Sequence, residues 1–208
     1  MQSLYNFIIT PKNDRYNNTI KVSDKTLIVN TKIETYQSVS KEAIVKEIPK
    51  LYKGPIKKGD SIIVHHNIFR KFYDVKGRIK NSSSYFKENL FICDLHQIYL
   101  YKPNNNCSRC INTWKSNLDY CFVSPVKDTE ILNNNKEKEL LGIMKYINPQ
   151  LKEKGIKVGD LITFTPNSEF EFMFEGKRLY CMKSNDIAIT YGNERNEKEY
   201  NPSWAYCS

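Results

Sequence analysis

Three groups of residues in this sequence have types and spacings that could do chemistry. Cys107-Ser108-Arg109-Cys110 is a Cys-x-x-Cys pair, with Cys121 eleven residues beyond it and His96 eleven before it. Such residues bind zinc or exchange disulfides. A closed zinc site needs four ligands, and a second close pair is missing, so His96, Cys107, Cys110 and Cys121 would have to be gathered from distant stretches. Loose linker thiols or a redox pair are the simpler expectation, and no metal is assigned. His65-His66-Asn67 brings together two of the three histidines, but no Gly-x-Ser-x-Gly elbow or other nucleophile context accompanies them. Neighbours on a strand also point to opposite faces, so the two rings are not expected to share one substrate. Eight glycines leave little room for a phosphate cradle. No catalytic residue and no cofactor is assigned, and an enzyme is not expected.

The third group is basic and aromatic. Phe69-Arg70-Lys71-Phe72-Tyr73-Asp74-Val75-Lys76-Gly77-Arg78-Ile79-Lys80 interleaves Phe69, Phe72 and Tyr73 with Arg70, Lys71, Lys76, Arg78 and Lys80. As a hairpin it reads first as a core-facing aromatic row with a solvated cationic face. The rival reading is a surface that stacks the bases and neutralises the phosphates of single-stranded nucleic acid.

These groups sit on a frame that the sequence writes twice. Ile56-Lys57-Lys58-Gly59-Asp60-Ser61-Ile62-Ile63-Val64 returns as Ile156-Lys157-Val158-Gly159-Asp160-Leu161-Ile162-Thr163-Phe164. Downstream, Leu90 to Leu100 matches Leu179 to Ile189, read with one extra residue after the cysteine, so that Cys93 and Cys181 take equivalent strand positions. Upstream, Lys41 to Lys46 sits where Leu140 to Lys145 sits. In the repeated motif Gly59 and Gly159 supply a backbone angle that other residues resist, and Asp60 and Asp160 accept backbone N–H groups to hold a turn before an apolar strand.

The duplication sets the boundaries: residues 1–102, a linker 103–112 opened by Pro103 and an Asn run, residues 113–192, and a charged and aromatic tail 193–208. Lys25–Ile33 and Lys41–Ile48 read as strands, as does the alternating Glu169–Glu175, with Glu175-Gly176 as a hairpin turn. Asn135–Leu141 is the best helical candidate, and Ser184–Ile187 reads as a single turn. Trp204 and Tyr206 are expected to cover a sheet edge or dock on a neighbouring subunit.

The chain has 208 residues, 40% hydrophobic, with 32 Lys and Arg against 23 Asp and Glu, a net charge of +9. That apolar content excludes disorder. No run approaches the roughly 18 apolar residues of a membrane span, and no leader pattern opens the sequence, so a cytoplasmic protein with reduced cysteines is expected. The lean towards Lys, Asn, Ile and Tyr is of the kind an AT-rich genome produces, which discounts the charge as evidence for nucleic acid.

The run from Gly155 to Phe164, the hairpin at Glu175-Gly176, Tyr180-Cys181-Met182 and the closing Ser184-Asn185-Asp186-Ile187-Ala188-Ile189 resemble the C-terminal half of the GroES-like co-chaperonins. The first half is a weaker match, with Gln97-Ile98-Tyr99-Leu100 at its end. The whole chain resembles the tandem GroES-like proteins encoded by bacteriophages. The resemblance implies an all-β fold of two tandem, partly open β-barrels. It implies a chaperone that caps the cage of a host or phage chaperonin, which binds the ATP, in the host cytoplasm, with assembly either as a ring or as a monomer. Members of the family hook the chaperonin through a loop between an early strand and the barrel. Here the first such loop, after Ile33, is short and offers Tyr36 and Val39. The second, from Lys127 to Lys138, carries Ile131-Leu132-Asn133-Asn134-Asn135 and is the better hook. The alternative is a barrel without chaperonin contact, acting as a single-stranded nucleic-acid binder or a phage structural protein.

Overall fold

In a computed structural model the chain divides into two compact units, residues 1–114 and 115–208. The structure describes residues 3–16, 19–22, 25–28, 38–104, 113–128, 137–193, 197–203 and 205. The fold is all-β, built of antiparallel sheets, with one short α-helix among the described residues.

The first unit contains β1 (Phe7–Pro11), β2 (Thr19–Val22), β3 (Lys25–Ile28), β4 (Glu42–Glu47), β5 (Ser61–Val64), β6 (Lys71–Tyr73), β7 (Ile79–Asn81), β8 (Tyr85–Lys87), β9 (Leu90–Cys93) and β10 (Ile98–Lys102). Its main sheet runs β10-β5-β4-β1-β9-β8, while β2–β3 and β6–β7 are separate two-stranded hairpins. The second unit contains β11 (Lys115–Ser116), β12 (Tyr120–Lys127), β13 (Glu137–Tyr146), α1 (Pro149–Glu153), β14 (Leu161–Phe164), β15 (Phe170–Phe174), β16 (Lys177–Lys183) and β17 (Ile187–Gly192). Its sheet runs β17-β14-β13-β12-β16-β15, the same order with each strand replaced by its counterpart. Neither sheet closes into a barrel through hydrogen bonds among the described residues.

The repeated Gly-Asp turn is built alike in both units. Asp60 accepts the Lys57 N–H at 2.7 Å, and Asp160 accepts that of Lys157 at 2.8 Å. The Gly59 N–H donates to the Val45 carbonyl and that of Gly159 to Met144, while Val45 and Met144 donate in return to the carbonyls of Asp60 and Asp160. Both glycines stand at positive φ, +90° and +94°, where a Cβ would be strained. Asp60 and Asp160 are nearly buried, so these bonds offset the cost of taking a carboxylate out of water.

Strand register extends the duplication beyond what the sequence motifs mark. Ile9 pairs with Val45 and Pro11 with Ala43, as Val123 pairs with Met144 and Pro125 with Gly142. Phe7 faces Cys93, and Cys121 faces Met182. Cys93 is therefore the counterpart of Met182, and the expected match with Cys181 is off by one residue. A one-residue slip moves a side chain to the other face of a sheet. Cys93 and Met182 lie in the two equivalent cores, whereas Cys181 pairs with Phe122 and Phe170. No extra residue follows the cysteine. Gln97 accepts the Asp94 N–H and Asp186 that of Lys183, both at 2.9 Å, at the same place in the two 3-10 turns Leu95–Gln97 and Ser184–Asp186.

Other expectations are corrected. The described part of Asn135–Leu141 is strand, the start of β13, because pairing with β12 and β14 overrides its weak helical pattern. The helix is instead α1, capped by Asn148, whose side chain accepts the Leu151 N–H at 3.0 Å, with Pro149 in the first turn. The strand expected over Lys25–Ile33 is described only as far as Ile28, in a hairpin outside the main sheet. The expected hairpin turn holds, with Glu175 and Gly176 both at positive φ, the type I′ geometry. The tail joins the second unit: Glu199 bridges to Val126, the Tyr200 N–H donates to Pro125, and Asn201 ties Arg178 to Gly176. Trp204 and Tyr206 lie outside the described residues.

If the Gly-Asp turn locks the β4–β5 and β13–β14 registers, Asp60→Ala and Asp160→Ala should each cost about 1–3 kcal/mol, the cost of stranding buried N–H donors. Urea unfolding measures it. An unchanged midpoint in both variants would show that the turn holds without its carboxylate.

Candidate functional site

The residues singled out for chemistry fall into different places. Cys121 is buried in the core of the second unit, and burial pushes its thiol up to about 12, so a metal-binding thiolate is disfavoured there at neutral pH. Burial likewise raises the thiols of Cys93 and Cys181. Cys107 and Cys110 lie outside the described residues, and among the described ones no cluster of His, Cys, Asp or Glu could hold a metal ion. His65 and His66 stack with ring centroids 4.4 Å apart, against the expectation of opposite faces, because the chain leaves β5 and enters a 3-10 turn at His66–Ile68. His65 Nδ1 accepts the Asn67 N–H at 3.1 Å. Burial, then the charges of His65, Lys41 and Arg70, lowers His66 to about 4.

Among the expected hook residues, Ile131, Leu132, Asn133, Asn134, Asn135 and Tyr36 lie outside the described residues. Val39 is buried in the first core and bridges to Tyr16, so its side chain is occupied inside the unit. The register shows which stretch of the first unit corresponds to residues 128–136. Since β1 and β4 correspond to β12 and β13, the counterpart of residues 128–136 is the whole stretch 12–41, not a short loop after Ile33. That stretch carries β2 and β3, and on β3 Leu27 and Ile28 are 52% and 69% exposed. From sequence this stretch reads as part of the strand Lys25–Ile33, which leaves the exposure of the pair open. The shared Thr10-Pro11 and Ser124-Pro125 pattern was the signal that could have located the true early strand.

The basic and aromatic segment forms the β6–β7 hairpin. Lys71 pairs with Asn81, Phe72 with Lys80 and Tyr73 with Ile79. Of its aromatics, Phe69 alone is core, edge-on to Phe91 at 4.8 Å. Phe72 and Tyr73 are 41% and 49% exposed, so the expected core-facing aromatic row is not present. The base is fastened firmly. Arg15 donates to the carbonyls of Phe69 and Arg70 and to Asn81, and its guanidinium lies over the Phe91 ring. The Tyr16 hydroxyl accepts the Lys71 N–H, and Ser82 donates to the Ile68 carbonyl at 2.6 Å. At the tip, Asp74 accepts the N–H groups of Lys76 and Arg78 at 2.9 and 2.8 Å.

The second unit holds a cleft of about 800 Å³ that no sequence motif marks, lined by Glu137, Leu140, Phe164, Glu169, Arg178 and Tyr180 among others. Its charged groups engage one another. Glu137 accepts from Arg178 at 2.6 Å and from the Tyr180 hydroxyl at 2.9 Å, and Arg178 lies over the Tyr180 ring. Burial first, and then the bond to Glu137, hold the Tyr180 phenol well above its ordinary value. These contacts fasten β13 to β16 and present no activated nucleophile. No protein-family model matches the chain, and no curated protein matches it.

A histidine held neutral in the folded state makes stability depend on pH. The unfolded chain takes up that proton near pH 6.5 and the folded unit near 4, so stability is full above 6.5 and falls as pH drops between the two. The urea midpoint of the first unit should fall from pH 7 to pH 5, and His66→Gln should make that fall smaller. An equal fall in the variant would assign it to other groups.

Proposed function

We propose that this chain is a phage-type co-chaperonin, two divergent GroES-like partly open barrels in tandem, which assists protein folding by capping a host or phage chaperonin in the host cytoplasm. The observation that carries the reading is the shared frame. Two units repeat one strand order and one Lys-x-Gly-Asp turn, and in each an apolar-bearing connection joins the same two strands of that order. It is a non-enzymatic role, and ATP is bound and hydrolysed by the chaperonin.

In the first unit the hook is Leu27-Ile28 on β3, and in the second Ile131-Leu132. Burying a Leu or Ile side chain gains about 1.5–3 kcal/mol, so one such pair supports binding no tighter than about tens of micromolar before ordering costs. Several hooks must therefore engage together, and a ring of these chains supplies them through effective concentration. No helix of the described residues is long and apolar enough to cross a membrane.

Sedimentation velocity of the protein mixed with a chaperonin and nucleotide tests this. Nucleotide-dependent co-sedimentation is expected, reduced at least tenfold in affinity by Leu27→Ser with Ile28→Ser, and also by Ile131→Ser with Leu132→Ser. A folded protein that never joins the chaperonin in any nucleotide state would overturn the reading.

A further inference from the structure

The β6–β7 hairpin is not part of the frame the two units share. Between β5 and β8 the first unit inserts residues 65–84, whereas between the matching β14 and β15 the second has only residues 165–169. The second unit folds the same sheet without it. An addition that the scaffold does not require, yet fastens at its base through Arg15, Tyr16 and Ser82, is a presented element.

What it presents is apolar and cationic at once. Beyond Phe69 the side chains of Phe72, Tyr73, Val75 and Ile79 are all exposed, which a solvated structural hairpin has no reason to carry. From Phe69 to Lys87 there are six Lys and Arg and one carboxylate, Asp74. That carboxylate is already accepting two backbone N–H groups in the turn. The strand pairing sorts these groups by face. Phe72 shares a face with its partner Lys80, and the 2.9 Å bond from the Asp74 N–H to the Arg78 carbonyl continues the pairing so that Arg78 falls on that face too. Tyr73 and Ile79 share the other.

We infer that the Phe72–Lys80–Arg78 face of this hairpin binds single-stranded nucleic acid, one base stacking on Phe72 while the flanking phosphates meet Lys80 and Arg78. A duplex hides the faces of its bases, and an acidic polypeptide has none to offer the ring, whereas every unpaired base has a π-face. This face uses none of the proposed hook residues, and its test does not depend on them.

The probes are fluorescently labelled dT20 and rU20 in anisotropy titrations of the full chain between 50 and 200 mM salt, with a 20-base-pair duplex and poly-L-glutamate as competitors. Binding to the single strands is expected. Its log–log salt slope should be about −2 to −3, from the phosphates at Lys80 and Arg78 and one or two more at Lys71 and Lys76 of the same hairpin, at about 0.7 each. Phe72→Leu, which keeps an apolar side chain without an aromatic face, should weaken binding about tenfold with the slope unchanged. Arg78→Ser with Lys80→Ser should weaken it and flatten the slope by about 1.4. Both changes are at exposed positions, and matching thermal midpoints confirm the fold. No binding of either single strand at 50 mM salt would overturn the inference. So would equal competition by duplex, or equal competition by poly-L-glutamate with Phe72→Leu unchanged, which marks a general polyanion surface.

Discussion

A glycine at positive φ and a buried carboxylate fix the strand register in each half of this molecule. The Gly59 and Gly159 N–H groups reach the facing strand, and Asp60 and Asp160 close the turn behind them. A slip of one residue there would turn Ile62 and Val64, or Ile162 and Phe164, out of their cores. From this fixed point the pairing runs outward through β4 to β1 and β9, and through β13 to β12 and β16. The cores follow from it: Ile9, Val45 and Phe91 meet in one, and Val123, Met144 and Tyr180 in the other.

With the frame fixed twice, the two units differ in their connections. Residues 12–41 are far longer than 128–136, residues 65–84 far longer than 165–169, and α1 follows β13 where a turn at Pro49–Tyr52 follows β4. Connections of unequal length on a common scaffold are where binding surfaces accumulate, because they can vary without disturbing the core. Two exposed apolar elements of the first unit, the Leu27-Ile28 pair and the Phe72 hairpin, lie on such connections.

The all-β class, the turn motif and the hairpin at Glu175-Gly176 were legible because each depends on local chemistry: alternation, a glycine, a carboxylate three residues from its N–H donor. What was not legible depended on partners distant in sequence. Glu137–Leu140 looks helical until β12 and β14 are placed beside it. Cys93 looks like the mate of Cys181 until Phe7 and Cys121 fix the register. Leu27 and Ile28 lie in a stretch that reads only as strand, because apolar β-branched composition cannot tell a buried strand from an exposed one. The hairpin was found as a segment and misjudged in its burial, since Phe72 and Tyr73 are exposed on it. The cleft beside Arg178 and Tyr180 could not be foreseen, being assembled from β13, β14, β16 and the tail.

The tail contacts also set an order of events during synthesis. Everything described in the first unit lies within residues 3–114, so that unit can close while most of the second is still to be made. The second cannot, because Pro125, Val126 and Lys127 on its central strand take their last partners from Lys198, Glu199 and Tyr200, and Gly176 and Arg178 wait for Asn201. Domains fold as units as they emerge, at about 5–20 residues per second. The first unit therefore stands finished for several seconds while the second lacks the segment whose bonds complete it.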